Sequence, residues 1–281
     1  TCEIVKVSID GGINWFDTAE IYGQGKSEQS LAHSLKKIGL KPSESIIATK
    51  WWPIGRWAPS IKRTIDKRLE NLDGYPIALH QIHSPLGLSS VEKEMNSMAD
   101  LIEEGKIKYI GVSNFNAERM KKASEALRKR GHKLVSNQVV YSILNRKIES
   151  SGVMDIAREL DITIIAYSPL AQGLVSGKFH EDKELIKKRP GSRKYMNKFK
   201  KEGLRASRPV IDKLINIAEE YNATPSQVAL NWLINFYGDL VVAIPGATTI
   251  KQAAENTGAL NFSLSGQHLD ILDKVSASYK L

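Results

Sequence analysis

Asp17, Tyr22, Lys50 and His83 are of the types that can move a proton onto a carbonyl oxygen. Each stands at or just beyond the end of a short apolar run. Asp17 closes the run Ile13 to Phe16, with Tyr22 in the segment beyond it. Lys50 follows Ile46 to Thr49, and His83 follows Ile77 to Ile82. Polar residues after apolar runs have a plain reading, since strands end where polarity begins. Four residues of these types on three consecutive runs carry more. A free tyrosine has a pKa near 10, too high for efficient proton transfer near neutrality. A nearby ammonium favours the phenolate and lowers that value, and a carboxylate beside the lysine keeps the ammonium charged and aimed. A histidine can hydrogen-bond a substrate oxygen and fix its orientation. Such a set suits protonation of a carbonyl oxygen while hydride reaches the carbon. No side chain delivers hydride, so a bound nicotinamide or flavin is implied.

The elements that must position these groups alternate. Short apolar runs also cover Ile107 to Val112, Leu134 to Val140, Ile162 to Tyr167 and Leu240 to Ile244. Segments with helical spacing separate the runs. Ile61, Ile65 and Leu69 share a face, as do Met154, Ala157 and Leu160, and again Ile211, Leu214, Ile215 and Ala218. Thr224-Pro225-Ser226-Gln227 reads as a helix start with Thr224 at the cap. Strand and helix in alternation mean a parallel sheet with helical crossovers. The 281 residues suit one barrel domain spanning the whole chain, 1–281. A closed eight-stranded barrel needs a strand ahead of the helix-like stretch Cys2 to Asp10. The first strand is therefore expected to be missing, the chain starting inside the first βα unit. A doubly wound open sheet is the competing architecture, but no Gly-x-Gly-x-x-Gly follows an early strand. A long irregular loop is expected over about 172–209, on the carboxyl-end face of the strands.

The segments GINWFDTAEIYG, IIATKWW, HQIHSP, IGVSNFN, SNQVVYS, IIAYSPLAQGLVSGK and IPGATTIKQAAEN occur in this order over most of the chain. Together they resemble the successive signatures of the aldo-keto reductase family. The likeness is strongest to the longer-loop branch that includes potassium-channel beta subunits, pyridoxal reductases and bacterial general reductases. The resemblance implies a (β/α)8 TIM barrel that binds NADPH without a Rossmann fold. It implies Tyr22 as general acid, with Asp17, Lys50 and His83 completing a catalytic tetrad. Ser113, Asn114 and Gln138 match positions that hold the nicotinamide carboxamide, and Tyr167 matches the aromatic that stacks on its ring. Ser168, Pro169, Leu170 and Gly173 match the segment along the pyrophosphate, with Lys178 at a basic position beyond. Gly246, Thr248, Gln252, Glu255 and Asn256 match the adenosine and 2′-phosphate end, and Arg193 is a further candidate for that phosphate. A helix beginning near Thr248 or Thr249 would offer free N–H groups to a phosphate, or be simply an N-capped helix. Trp51, Trp52 and Ser84 are candidates to line the substrate pocket, only one of the adjacent tryptophans facing inward.

The implied function is NADPH-dependent reduction of an aldehyde or ketone to an alcohol. The alternative is a non-catalytic NADP(H)-binding regulatory subunit. His83 favours catalysis, because channel beta subunits carry asparagine there. Other classes fit less well. The formal net charge is +9, and Lys178 to Arg208 supplies most of it. That stretch is a solvated loop or an attractor of an anionic ligand. It lacks a nucleic-acid-binding motif. No run of about 18 uncharged apolar residues marks a membrane span. One cysteine, Cys2, allows no intrachain disulfide and fits a cytoplasmic protein. No Cys/His cluster has zinc-ligand spacing, so no metal is expected.

Overall fold

The computed structural model describes residues 1–188 and 192–279. Its first element is the helix α1 (Cys2–Asp10). Then come β1 (Trp15–Asp17), α2 (Lys26–Ile38), β2 (Ile46–Trp51), α3 (Pro59–Asn71), β3 (Ile77–Ile82), α4 (Val91–Glu103), β4 (Ile107–Ser113), α5 (Ala117–Arg128) and β5 (Leu134–Val140). β6 (Thr163–Tyr167) and β7 (Val241–Ile244) follow, with further helices between and after them. The strands form one seven-stranded sheet in chain order, β1 to β7. A doubly wound sheet would reverse its order at a switch point, so that alternative is set aside. The architecture is of the (β/α)8 TIM-barrel class, with seven strands among the described residues.

Two compact units divide the chain. One comprises Thr1–Val139, Ile148–Ile165 and Thr248–Ala253, and the other Val140–Lys147, Ala166–Ala247 and Ala254–Leu281. In the first unit, β1 to β4 pair parallel with their next neighbours, β4 ending on β5. β2 is buried from Ile47 to Trp51, as expected of a parallel strand covered on both faces. β4 crosses between its neighbours at Gly111. A Cβ there would lie 2.4 Å from Ser136 Oγ and 3.0 Å from Gln81 Cγ, so only glycine admits both polar side chains. Caps fix the surrounding helices. Ser90 Oγ accepts from Lys93 N–H at the start of α4, and Asn116 Oδ1 from Arg119 N–H at the start of α5.

In the second unit the helix Pro225–Asn235 starts as its sequence predicts, with Thr224 and Gln227 in a reciprocal capping box. The expected irregular loop over 172–209 is corrected. A 3₁₀ turn (Ala171–Ser176) and one-turn helices (Lys178–Glu181, Glu184–Lys188) occupy its first part. A 20-residue helix, Lys201–Glu220, takes the last part and runs through Pro209. Proline removes one helical hydrogen bond. The buried face formed by Leu204, Val210, Ile211, Leu214, Ile217 and Ala218 outweighs that loss. Gly203 admits a close approach near its start, since a Cβ would meet Asn197 O at 2.3 Å.

No helix among the described residues is long and apolar enough to cross a membrane.

Candidate active site

β1 ends at Asp17, but the chain stays paired to β2 beyond it. Thr18 N–H donates to Ala48 O at 2.8 Å, and Glu20 N–H to Lys50 O at 3.2 Å. This carries the segment to Tyr22, where a turn closes with Tyr22 N–H on Ala19 O at 3.0 Å. Tyr22 is 42% exposed.

Lys50 is fully buried. Its ammonium donates to Asp17 Oδ2 and, at 2.8 Å, to Thr18 O. It sits 5.3 Å from the centre of the Tyr22 ring. Burial pushes the Lys50 pKa down, and the Asp17 carboxylate opposes that shift. Asp17 is held from its other oxygen by Gln138 Nε2 at 2.8 Å and Gln81 Nε2 at 3.3 Å. His83, just past β3, meets the Tyr22 ring edge-on at 5.6 Å and the Trp52 ring edge-on at 5.2 Å. Its main-chain N–H donates to Trp51 O at 3.0 Å. The structure therefore brings Asp17, Tyr22, Lys50 and His83 into one cluster.

Burial and the Lys50 charge push the His83 pKa down to about 4, so the imidazole is neutral at physiological pH. Its Nδ1 is buried without a hydrogen-bond partner among the described residues, as is Ser84 Oγ. His80, buried behind on β3, is pushed down to about 3 by burial. Both imidazoles hold protons less well folded than unfolded, where the ordinary value is 6.5. On acidification the unfolded chain therefore takes up these protons first, and stability falls. The expected result is full stability from these groups above pH 6.5, declining towards pH 4 through His83 and on towards pH 3 through His80. Urea unfolding across that range checks this, and replacing His80 with an uncharged residue should flatten the lower part of the decline.

Of the candidate pocket residues, Trp52 stands against His83 and Ser84 lies next to it in the chain. Trp51 is corrected. It is 1% exposed, with its indole N–H on Ser60 Oγ at 3.1 Å, so it packs β2 against α3 and presents no face to a substrate.

Ser113, Asn114 and Gln138 come together at the ends of β4 and β5. Asn114 N–H donates to Gln138 O at 2.8 Å, and Asn114 Nδ2 to Ser113 Oγ at 3.1 Å. Asn114 has a left-handed backbone (φ 59°), which turns the chain sharply as it leaves β4. Thr248 and Gln252 also lie in the first unit. Thr248 N–H and its hydroxyl both donate to Gln252 Oε1, at 2.8 and 2.9 Å. Thr249 Oγ1 accepts from Gln252 N–H at 3.2 Å, capping the helix Ile250–Gly258.

In the second unit, Tyr167 ends β6 half-buried, and burial raises its pKa. Ser168 follows with φ 52°, then Pro169, Leu170 and a turn in which Gln172 and Gly173 are also left-handed. Lys178 opens a one-turn helix with its ammonium 5.3 Å from the Phe179 ring. Arg193 is half-buried in a 3₁₀ turn. Gly246 follows β7 after Pro245, whose carbonyl accepts from Asn256 Nδ2 at 3.5 Å. Glu255 accepts from the Thr224 hydroxyl at 2.9 Å.

Sequence reasoning passed over a buried charged cluster beside the site. Arg68 on α3 lies between Glu20 and Glu28. The apolar stripe pointed to Leu69, which is half-buried, whereas the buried face of α3 passes through Ile61, Ile65 and Arg68. The available signal was the pair of acids, Glu20 and Glu28, flanking Tyr22.

Residues 1–277 match the model of the aldo/keto reductase family. An uncharacterized oxidoreductase of Mycobacterium tuberculosis is 37% identical over 279 residues, covering 99% of this chain and 82% of the relative. The aldo-keto reductase yakc [NADP(+)] of Schizosaccharomyces pombe is 30% identical over 268 residues, 91% of this chain and 76% of its own. Among solved structures, the glycerol dehydrogenase AKR11B4 of Gluconobacter oxydans superposes with a TM-score of 0.86 at 25% identity, covering 99% of this chain and 85% of that one.

Proposed function

The chain belongs to the aldo/keto reductase family, and on that premise we propose that it reduces an aldehyde or ketone to an alcohol with NADPH, Tyr22 giving the proton. One observation carries this reading: a buried ammonium, paired to a partly buried carboxylate, lies 5.3 Å from the ring centre of an exposed tyrosine. In this reading the Tyr22 hydroxyl protonates the carbonyl oxygen. Lys50 stabilises the phenolate left behind, which is worth most in a water-poor site. Asp17 fixes the ammonium in place. Neutral His83 hydrogen-bonds the carbonyl oxygen and sets its angle, and Trp52 and Ser84 line the approach.

The cofactor supplies the hydride. The residues at the strand ends fit its carboxamide. Gln138 Nε2 is committed to Asp17, which leaves Oε1 as an acceptor, and Ser113 and Asn114 add a hydroxyl and an amide beside it. Tyr167 would stack on the nicotinamide. Ser168, Pro169, Leu170, Gly173 and Lys178 would follow the pyrophosphate. Gly246, Thr248, Gln252, Glu255, Asn256 and Arg193 would hold the adenosine and 2′-phosphate. The relative from Schizosaccharomyces pombe, named for NADP(+), supports the choice of cofactor. A reducing cytoplasm suits such a reaction, and a small carbonyl compound is the expected partner.

NADPH oxidation measured over a panel of aldehydes and ketones, with NADH in parallel, tests this. The expected result is turnover with NADPH well above that with NADH. Tight NADPH binding without turnover of any carbonyl would favour a regulatory subunit.

A further inference from the structure

Glu20 stands between Asp17 and Tyr22 in the chain, and the proposed reaction gives it no role. Its side chain is 6% exposed and takes three donors. Trp52 N–H reaches Oε1 at 2.5 Å, Arg56 Nη1 reaches the same oxygen at 2.6 Å, and Arg68 Nη1 binds Oε2. The main-chain N–H of Glu20 is on Lys50 O. One residue therefore grips the exit of β2 on both sides of Trp51.

The grip continues inward. Arg68 Nε donates to Glu28 Oε2 at 2.8 Å. Glu28, fully buried, also accepts from Thr49 Oγ1 at 2.6 Å and Asn71 Nδ2 at 2.8 Å. Thr49 directly precedes Lys50. The cluster thus ties the segments bearing Asp17, Tyr22, Lys50 and Trp52 to α3. Two buried carboxylates share Arg68, and Arg56, whose side chain is 37% exposed, balances the second charge at the rim. Buried ion pairs are often no more stabilising than well-packed apolar residues. What this one supplies that apolar packing would not is a directed hold on the Trp52 N–H and, through Glu28, on the Thr49 hydroxyl.

We propose that Glu20 is a positioning residue, setting the Tyr22 phenol over Lys50 and the Trp52 ring against His83, with Arg56 as its partner at the rim. This rests on the reductase reading. Misplacement of reacting groups by about 1 Å costs on the order of 100-fold in rate.

Glu20→Gln and Arg56→Gln, made in the full chain, test it against a carbonyl that the wild type reduces. Glu20→Gln keeps an acceptor for Trp52 N–H but discharges both ion pairs. Its kcat should fall about 10- to 100-fold, with the NADPH Kd changed by less than about twofold. Arg56→Gln removes only the rim pair, so the carbonyl KM should rise several-fold while kcat holds. The Trp52 amide proton, shifted downfield by a charge-assisted bond, should move upfield in Glu20→Gln. Unchanged kcat in folded Glu20→Gln overturns the proposal, as does a parallel loss of kcat, KM and NADPH affinity that tracks thermal stability. If Glu20→Gln does not fold, Arg56→Gln decides, and an unchanged KM overturns it. Tyr22→Phe separates the two levels of inference. Full turnover in that variant sinks the assignment of Tyr22 as proton donor, whereas an inactive Tyr22→Phe beside a fully active Glu20→Gln sinks only the positioning role. If the wild type reduces no carbonyl, the Trp52 amide still decides, and an unmoved resonance overturns the clamp.

Discussion

Tyr22→Phe is expected to lower kcat by about 10²- to 10⁴-fold, the range for losing a positioned general acid, while leaving NADPH affinity within about twofold. The substitution removes one oxygen from a ring that is 42% exposed. Its ring contact with His83 is edge-on at 5.6 Å and needs no hydroxyl, so the phenyl ring can keep that place. Lys50 keeps Asp17 and Thr18 O as partners, so no buried charge is stranded. Stability should therefore change little, and the loss should fall on the chemical step. Stopped-flow single turnover with saturating NADPH measures that step directly. A Phe variant with wild-type kcat would remove the phenol from the mechanism, and one with weakened NADPH binding would place Tyr22 in the cofactor site instead.

The split between what the chain reveals and what it conceals follows the range of the interactions. Asp17, Lys50 and His83 were legible because the parallel strands read as short, largely apolar runs, and each of these residues lies at or near the end of one. The order of the strands was legible because helix-forming segments separate them. Three other features depend on partners distant in the chain. Gln138 holds Asp17 from 121 residues away, and no local pattern marks that pairing. Arg68 is buried because Glu20 and Glu28 face it, while hydrophobic periodicity assigns its place to the neighbouring leucine. Of the adjacent tryptophans, alternation says only that they differ. The register of β2 beside α3 decides that Trp51 packs and Trp52 faces His83. Pro209 shows local preference overridden: the residue reads as a break, yet the helix around it buries too much surface to stop there.

Lys50→Met should show that stability and activity at this cluster come apart. Methionine has nearly the shape of the lysine stem and suits a buried strand position, but it leaves Asp17 with Gln81 and Gln138 as its only side-chain donors among those described. An ionised carboxylate buried without its counter-charge costs about 3–5 kcal/mol when a pair is broken in this way. Lys50→Met should therefore unfold at markedly lower urea and lose nearly all turnover. Asp17→Asn added to it removes the stranded charge while keeping an oxygen for the two glutamine amides. The double variant should regain most of the lost stability, because replacing both members of a buried pair with neutral groups is close to neutral. It should regain no activity, because nothing then stands behind the phenol to stabilise the phenolate. Urea titrations and kcat for the two single variants and the double variant form a complete cycle. Recovery of turnover together with stability would mean that Lys50 and Asp17 serve only to hold the fold, and the proton-transfer role assigned to the ammonium would then fail.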